Sequence, residues 1–340
     1  MKRNVLLLVS TGIGIALFIL VFYLFNVTRV FSHMVNIGSM GTGIFLINIL
    51  LIMLIGGLSW QLILRAYGHH LPFKDVLIIK VIGFAISYLT PSMYVGGEPV
   101  RVYLMGKKHG VSLTRIGATV VVDKFLELGA GLFYVFLGTI HTIIYYPLPL
   151  ELFILLVVIN AIFLGGAALL LIGFIFKTNP FSRITSLFGK IKPLKKPVEG
   201  VIPFILKLEN EVSFAFGKHR KSTIQAFSLN LVIGGLIFIK PAIFFYFLHT
   251  IFSLSQLSLL FALTHLLLAF QFTPGALGIF EWGEVGIFSI IGVQSEKALA
   301  YTLMVRIADL LLVTVAAVTG LHMGVRYLWG KGKDEGLYGL

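Results

Sequence analysis

The stretch Thr90-Pro-Ser-Met-Tyr-Val-Gly-Gly-Glu-Pro-Val-Arg101 interrupts an otherwise apolar part of the chain and decides how the fold is interpreted. Pro91 ends one helix, Gly96-Gly97 allow a turn, and Pro99 suits the first turn of a new helix. The free N–H groups and the positive dipole end of such a helix start form an anion site. Arg101 lies about one turn into the new helix and could hold a phosphate oxygen. The stretch therefore predicts a broken helix with an anion site at the break.

A counterpart lies later in the chain, in Phe272-Thr-Pro-Gly-Ala-Leu-Gly-Ile-Phe-Glu-Trp-Gly-Glu284. A helix start at Pro274-Gly275 is followed by Gly278 and then by two carboxylates. Glu281 and Glu284 share a helix face because they are three residues apart, and they suit a cationic or hydroxyl-rich ligand. The alternative for both stretches is a kinked packing helix, since Gly and Pro are common in membrane helices.

Composition places the chain in a membrane. Of its 340 residues, 58% are hydrophobic and 12% are charged, and the mean hydropathy is +0.98. Soluble domains are about 25% charged, so a soluble enzyme is excluded. The absence of cysteine excludes disulfides, thiolate metal sites and a cysteine nucleophile. The net charge of +13 could indicate nucleic acid, but the basic residues cluster in links between apolar stretches, so no nucleic-acid partner is predicted.

Apolar runs of about 20 residues, the length that crosses the hydrocarbon core, predict six full transmembrane helices. The first run is interpreted as a retained span because no small-residue cleavage pattern follows it. Two further apolar regions, 73–112 and 251–293, are broken near their middle by Pro and Gly. The six full spans are 5–25, 41–64, 113–137, 150–176, 223–247 and 298–325.

Lys and Arg set the orientation, because cytoplasmic links carry an excess of positive charge. With the N-terminus inside, the link 177–222 also lies inside and holds ten of the 27 basic residues. The external links then carry only Arg29 and Lys297. This holds if each broken region enters and leaves on one side, so the charges predict two re-entrant hairpins in a multi-pass cell-membrane protein with cytoplasmic termini. Apolar spacing over 198–216 predicts an amphipathic helix, either on the membrane surface or in a solvated link.

Each half of the chain has the order span, span, broken hairpin, span, and the two halves start on opposite sides, as in inverted-repeat transporters. The alternative is chance recurrence of Thr-Pro and Gly. We expect an all-α integral membrane protein with a single transmembrane domain over 1–340 and inverted repeats at about 1–140 and 150–330. A shift of 183 residues (281 − 98) lays Thr90-Pro91 on Thr273-Pro274, Glu98 on Glu281, Arg101 on Glu284 and Asp123 on Arg306.

Charged residues inside the spans are a second signal. Each costs about 2.5–3.5 kcal/mol at a helix centre, so such residues face a polar path or a partner. We expect pairing across the halves, with Asp123 opposite Arg306; structural salt bridges are the alternative. Lys240-Pro241 is interpreted as a kink with a snorkelling Lys, and His265 as a packing histidine. The charges expected on a translocation path or in pairs are Asp123, Lys124, Glu127, Arg306 and Asp309.

These motifs resemble the transmembrane domain of lysylphosphatidylglycerol synthetase/flippase proteins and their stand-alone bacterial and archaeal relatives. The resemblance covers roughly residues 5 to 325 and implies a protein that moves a lipid or lipid-linked sugar between leaflets. The soluble aminoacyl-transfer domain of synthetase members is absent, so synthesis is not expected. The family's acid followed by Arg is Asp123-Lys124 here, which keeps the charge signs but not the bidentate cation. The motifs are Gly96-Gly97-Glu98-Pro99-x-Arg101, Pro274-Gly275-x-x-Gly278-x-x-Glu281 and Arg306.

The prediction is a lipid flippase-like transporter for a phospholipid or lipid-linked sugar, with no enzymatic activity, cofactor or metal. Its partners are membrane lipids with phosphate-containing headgroups. Both a monomer and an oligomer are compatible with the sequence. The alternatives are a membrane enzyme acting on polyprenyl-phosphate-linked sugars, which would need acids at the membrane surface, and an assembly partner of such an enzyme. The expected substrate-binding residues are Gly96, Gly97, Glu98, Arg101, Pro274, Gly275, Gly278, Glu281 and Glu284.

Overall fold

The computed structural model describes residues 2–90, 96–145, 149–190, 195–268 and 272–330. Within these ranges the chain forms thirteen α-helices and one 3₁₀ turn, with no β-strand, which confirms the predicted all-α class. The helices are Lys2–Leu24 (α1), Val27–Asn36 (α2), Gly38–Ala66 (α3), Phe73–Leu89 (α4), Glu98–His109 (α5), Leu113–Tyr145 (α6), Leu150–Ile175 (α7), Pro180–Phe188 (α8), Lys195–Phe216 (α9), Arg220–Tyr246 (α10), Leu254–Leu268 (α11), Ile279–Ile290 (α12) and Ser295–Gly330 (α13), with the 3₁₀ turn Pro274–Ala276 before α12.

Four of the helices in the described ranges are long and apolar enough to cross a membrane. They are α3, α10 and the stretches Phe153–Ile175 of α7 and Ser295–Leu321 of α13. The bent pair α1 and α2, with 87° between its helices, raises the number to five if it is one span. Six full spans were predicted; the remaining one, 113–137, lies in α6, a continuous helix of 33 residues.

The bend between α1 and α2 replaces the external link that was predicted around Arg29. Asn26 has an extended backbone, and its side-chain oxygen accepts the N–H of Arg29 at 3.1 Å, so it caps a new helix directly after α1. With ten residues, α2 is too short to span a membrane by itself.

The first broken region separates into α4 and α5, as predicted. Pro91 lies outside the described residues, but α5 begins at Glu98, directly after the glycine pair, with Pro99 in its first turn. The N–H of Gly97 donates to Ser87 Oγ on α4 at 2.8 Å. A Cβ on Gly97 would overlap the carbonyl group of Gly83, so glycine is required where the two helices meet.

The second broken region differs in detail from the prediction. The chain makes a 3₁₀ turn at Pro274–Ala276, and α12 begins only at Ile279, whereas a helix start was predicted at Pro274-Gly275. The left-handed backbone of Gly275 (φ 61°) and Gly278 (φ 78°) explains the delay, because these two residues turn the chain twice before the helix can begin.

The two halves of the chain interlock. Helix α3 packs on α10, α4 packs on α13, and α11 packs on α6. A shift of 183 residues relates α3 to α10, α4 to α11 and α6 to α13, so this packing pattern is unchanged when the halves are exchanged. The pattern supports the repeat, while the opposite membrane orientation of the halves stays a prediction.

The link 177–222 forms α8 and α9, which include the predicted amphipathic helix. Helix α9 packs against α6, α7, α8 and α10, and it buries Val212 and Ala215 in a cluster with Phe174. The Glu209 carboxylate accepts the N–H and Oγ–H groups of Ser182 and thereby caps the start of α8. This face of α9 therefore packs on protein.

Candidate functional site

Asp123 is the centre of a charge network in the first half. Its fully buried carboxylate on α6 accepts hydrogen bonds from Lys80 Nζ at 2.9 Å and from Arg101 Nη2 at 2.6 Å. Lys80 also donates to the Gly56 carbonyl at 2.9 Å. The guanidinium carbon of Arg101 lies 4.1 Å from the ring centroid of Trp60. The carboxylate thus joins α6 to α4 and α5, and Lys80 and Arg101 extend the network to α3.

This network changes the interpretation of Arg101. The side chain is almost fully buried and bound to both an acid and an aromatic face. A phosphate that took the place of Asp123 on Nη2 would leave a carboxylate without its partner inside the protein. In this structure Arg101 joins helices.

Lys124 forms the outer part of the same network. Its Nζ lies 2.8 Å from a carboxylate oxygen of Glu127 and 3.8 Å from one of Glu98. The second oxygen of Glu98 is buried and has no hydrogen-bond partner among the described residues. These three predicted residues therefore lie together, and in ion pairs.

The second half has an arginine where the first has Asp123. Arg306 on α13 pairs through Nε with Glu281 on α12, and its Nη1 donates to Tyr88 Oη at 2.7 Å and to the Gly275 carbonyl at 2.9 Å. Its Nη2 is buried and has no partner within the described ranges. Because Tyr88 belongs to α4, Arg306 also ties the second half to the first.

The predicted pairing of Asp123 with Arg306 is wrong. Each residue forms its ion pair with the hairpin of its own half instead, because α5 packs against α6 and α12 packs against α13. The i, i+3 approach of Arg306 to Asp309 gives no ion pair in the described part of the chain either, since the guanidinium is held by Glu281.

Glu281 has a second task at the start of α12. One oxygen accepts the N–H of Gly278 at 2.7 Å, while the other holds Arg306. A Cβ on Gly278 would approach the Gly14 carbonyl of α1 at 2.8 Å, so α12 begins in close contact with α1. The carboxylate therefore occupies the N-terminal end of α12.

A cavity of about 210 Å³ opens beside Arg306, between α4 of the first half and α10 to α13 of the second. Phe288 and Tyr301 close one side, and their ring centroids lie 5.4 Å apart. Four charged side chains and four other polar ones face this space. They are Lys240, Glu284, Arg306 and Asp309, with Tyr88, Thr264, His265 and Tyr301.

The cavity differs from the first-half network because some of its charges lack partners. Glu284, buried on α12, accepts a hydrogen bond from Thr264 Oγ1 at 2.7 Å. Lys240 and Asp309 make no hydrogen bond or ion pair with any described residue. The charge of Lys240 nevertheless interacts electrostatically with the charges of Asp309 and Glu284. Groups of this kind can bind a polar ligand, since their hydrogen-bonding capacity is not yet used.

The sequence did not predict that Lys240 lines the cavity. It was interpreted as a snorkelling residue at a kink, but it lies in the cavity. Pro241 carries the signal, because its missing N–H disturbs the helix beside the charge. His265 does pack as predicted, stacked on Phe261 with Nδ1 at 2.8 Å from that residue's carbonyl oxygen, and it also lines the cavity.

The predicted site residues thus fall into two groups. One group lies in or next to the first-half network, and the other lies at or behind the cavity. The first group is Gly96, Gly97, Glu98, Arg101, Asp123, Lys124 and Glu127, and the second is Pro274, Gly275, Gly278, Glu281, Glu284, Arg306 and Asp309.

With this geometry in place, residues 7–317 match the family described as the lysylphosphatidylglycerol synthase TM region. The chain belongs to this family. The resemblance drawn from the broken-helix motifs is therefore confirmed, and the protein is a multi-pass α-helical membrane protein of the same kind.

Relatives of the chain come from archaea and are described as UPF0104 membrane proteins. One from Methanocaldococcus jannaschii is 23% identical over 277 residues, which is 80% of each chain. One from Methanothermobacter thermautotrophicus is 26% identical over 277 residues, 78% of this chain and 79% of the relative. A third, from Pyrococcus horikoshii, is 23% identical over 326 residues, 90% of this chain and 92% of the relative. No solved structure matches the chain.

Proposed function

We propose that the protein is a lipid flippase-like transporter, which moves the phosphate-containing headgroup of a phospholipid or lipid-linked sugar through the cavity between its halves. The observation that carries this proposal is the cavity itself. It is lined by both halves of the chain, and it holds Lys240 and Asp309, which have no hydrogen-bond or ion-pair partner among the described residues.

The physical demand of lipid transport fits this arrangement. Only the headgroup must be compensated for its loss of water, since the hydrocarbon chains remain in the apolar phase throughout. Lys240 and the free Nη2 of Arg306 are donors for phosphate oxygens, while Glu284 and Asp309 accept from hydroxyl or ammonium groups. Under this proposal the chain moves its substrate without chemical change.

The first-half network has a supporting part in this proposal. Asp123 on α6 binds Lys80 of α4 and Arg101 of α5, which holds α4 in place, and α4 contributes Tyr88 to the cavity. The proposal includes cytoplasmic termini, because the basic link at 177–222 carries the excess of positive charge that is typical of cytoplasmic links.

Leaflet exchange in liposomes tests the proposal. The purified protein is reconstituted with fluorescent phospholipids or polyprenyl-linked sugars, and the fraction that a membrane-impermeant quencher reaches is followed over time. We expect exchange above protein-free liposomes, and at least about tenfold slower exchange for Glu284→Gln, since a hydrogen bond to a charged group contributes about 1.5–3 kcal/mol.

Glu211→Gln is the matched control, because it makes the same change on α9, outside the cavity. It should leave exchange unchanged. Wild-type protein that folds but exchanges none of these lipids would overturn the proposal. Exchange that is equally fast in the Glu284 variant would remove the cavity from the transport path.

A further inference from the structure

The cavity has more acids than bases. The Arg306–Glu281 pair is internally neutral, and His265 can remain neutral because its Nδ1 donates to the Phe261 carbonyl. The tyrosines are neutral as phenols. One base therefore faces two acids. The ionisable groups that face this space from all packed helices are Tyr88, Lys240, His265, Glu284, Tyr301, Arg306 and Asp309, with Glu281 behind Arg306.

This imbalance cannot persist in an apolar surrounding. An ionised carboxylate without a compensating charge is expensive in a membrane interior, and a bound proton removes the cost. Thr264 donates to one oxygen of Glu284, which leaves the other oxygen able to carry a proton. In the described part of the chain no group of three or more His, Cys, Asp or Glu could hold a metal ion. A proton on that oxygen supplies the missing positive charge without further ligands.

A phosphate group would increase the demand for protons. Its negative charge suits Lys240 and Nη2 of Arg306, which are cationic donors at the cavity without a partner among the described residues. Once Lys240 binds the phosphate, its positive charge no longer compensates the negative charge of either Glu284 or Asp309. The negative charge that phosphate adds must then be matched by one further proton on these carboxylates.

We infer that Glu284, Asp309 and Lys240 form a proton-binding site, and that the headgroup phosphate and a proton cross the membrane together. The proton comes from water on the side where the headgroup enters, binds a carboxylate oxygen, and returns to water on the side where the headgroup leaves. No covalent bond of the lipid forms or breaks. This inference rests on the proposed transport function and adds its energy source, a proton gradient.

Proton uptake can be measured without transport. Glycerophosphoglycerol, a water-soluble phosphodiester, is titrated into the detergent-solubilised full chain by calorimetry in two buffers that differ in ionisation enthalpy. We expect uptake of about one proton per bound phosphodiester, by linkage between the two ligands. The Glu284→Gln/Asp309→Asn double variant should take up none, while Glu211→Gln should match the wild type. Binding with no uptake, or with proton release, would overturn the inference.

The wild-type protein provides a second readout if the double variant does not fold. The infrared band of a protonated carboxylic acid should grow when glycerophosphoglycerol binds and shift in heavy water. A spectrum that does not change on binding would also contradict the proton site.

Liposomes with an imposed pH difference separate this inference from the transport proposal. Fluorescent phospholipid should accumulate in the leaflet on the alkaline side, and a sodium gradient should have no such effect. Exchange that ignores pH but follows sodium, or follows neither, overturns the proton coupling and leaves the transporter standing. Proton uptake on binding without any lipid exchange leaves the site standing and overturns the transporter.

Discussion

Asp123 and Arg306 occupy corresponding places in the two halves, yet their surroundings differ. Around Asp123, Lys80 and Arg101 converge on one carboxylate, and the guanidinium also lies over Trp60. Around Arg306, Glu281 and Tyr88 take two of the guanidinium nitrogens, and one nitrogen is left over next to a cavity. The first half thus arranges its charges around one buried acid, whereas the second half places charged groups beside a cavity, some of them without a partner among the described residues.

Chain order explains part of this difference. The first half places its extra cation, Lys80, on the hairpin helix α4, where it meets Asp123. The second half places its extra cation, Lys240, on α10. There it lines the cavity and forms no ion pair with a described residue. A similar number of charges therefore produces pairing in one half and unused binding capacity in the other.

The largest expected effect comes from removing the charge of Asp123, the acid at the centre of the first-half network. Asp123→Asn leaves Lys80 and Arg101 buried without their counter-charge, which should lower the free energy of unfolding by about 3–5 kcal/mol. Asp309→Asn is the matched change beside the cavity, and it should lower this free energy by less than about 1 kcal/mol because Asp309 forms no ion pair with a described residue. Denaturant unfolding in detergent measures both, and equal losses would erase the distinction between the two clusters.

A smaller loss of stability is expected at the break of the first half. Gly97→Ala places a Cβ against the Gly83 carbonyl, so α4 and α5 must separate, at a cost of about 1–3 kcal/mol in the free energy of unfolding. Gly43→Ala on α3 is the control, because a Cβ there meets no atom within 4 Å. It should be neutral or slightly stabilising in the same unfolding experiment. If Gly97→Ala is equally harmless, the close approach of the two backbones does not hold the hairpin together.

Lys240→Met tests the role of the cavity by its effect on lipid transport. The variant should fold normally, since no described residue pairs with the lysine, and it should slow leaflet exchange about tenfold, the equivalent of 1.4 kcal/mol. Lys207→Met on the exposed side of α9 removes the same charge far from the cavity and should leave exchange at the wild-type rate. A Lys240 variant that is unstable but exchanges lipid normally would make the lysine structural, like Lys80.

The smallest effect is expected at the hydrogen bond between Tyr88 of the first half and Arg306 of the second. Tyr88→Phe removes the hydroxyl that binds Arg306, which should lower the free energy of unfolding by about 1 kcal/mol and reduce lipid exchange. Tyr134→Phe also removes one hydrogen bond, from Tyr134 Oη to the Leu231 carbonyl, and should cost a similar free energy without a change in exchange. Equal exchange in the two variants would show that the contact between α4 and Arg306 does not shape the cavity.

Much of the fold was predictable from local pattern. Long apolar runs gave the helices, and the glycine and proline residues near 97 and 274 gave the two breaks, because both depend on neighbours in the sequence. The departures are local too. Asn26 caps an extra helix, and two left-handed glycines delay the start of α12 to Ile279. Each depends on a single backbone conformation that apolar periodicity does not report.

The candidate site was predictable only as a set of charges. The sequence identified Glu281, Glu284, Arg306 and Asp309 as unusual because they are ionisable groups near breaks in apolar helices. It set Lys240 aside, since a lysine beside a proline can also reach the membrane surface. Which of these groups pair and which remain free does not follow from their spacing along one helix.

By itself the sequence determined that this is a helical membrane protein with two broken regions and a set of charges around them. Those properties follow from composition and from the conformational limits of glycine and proline, which act over a few residues. The tertiary structure alone decided that Lys80 binds Asp123 across 43 residues and that Tyr88 binds Arg306 across 218 residues. Such contacts depend on which helices lie side by side, and the packing of the whole chain determines that arrangement.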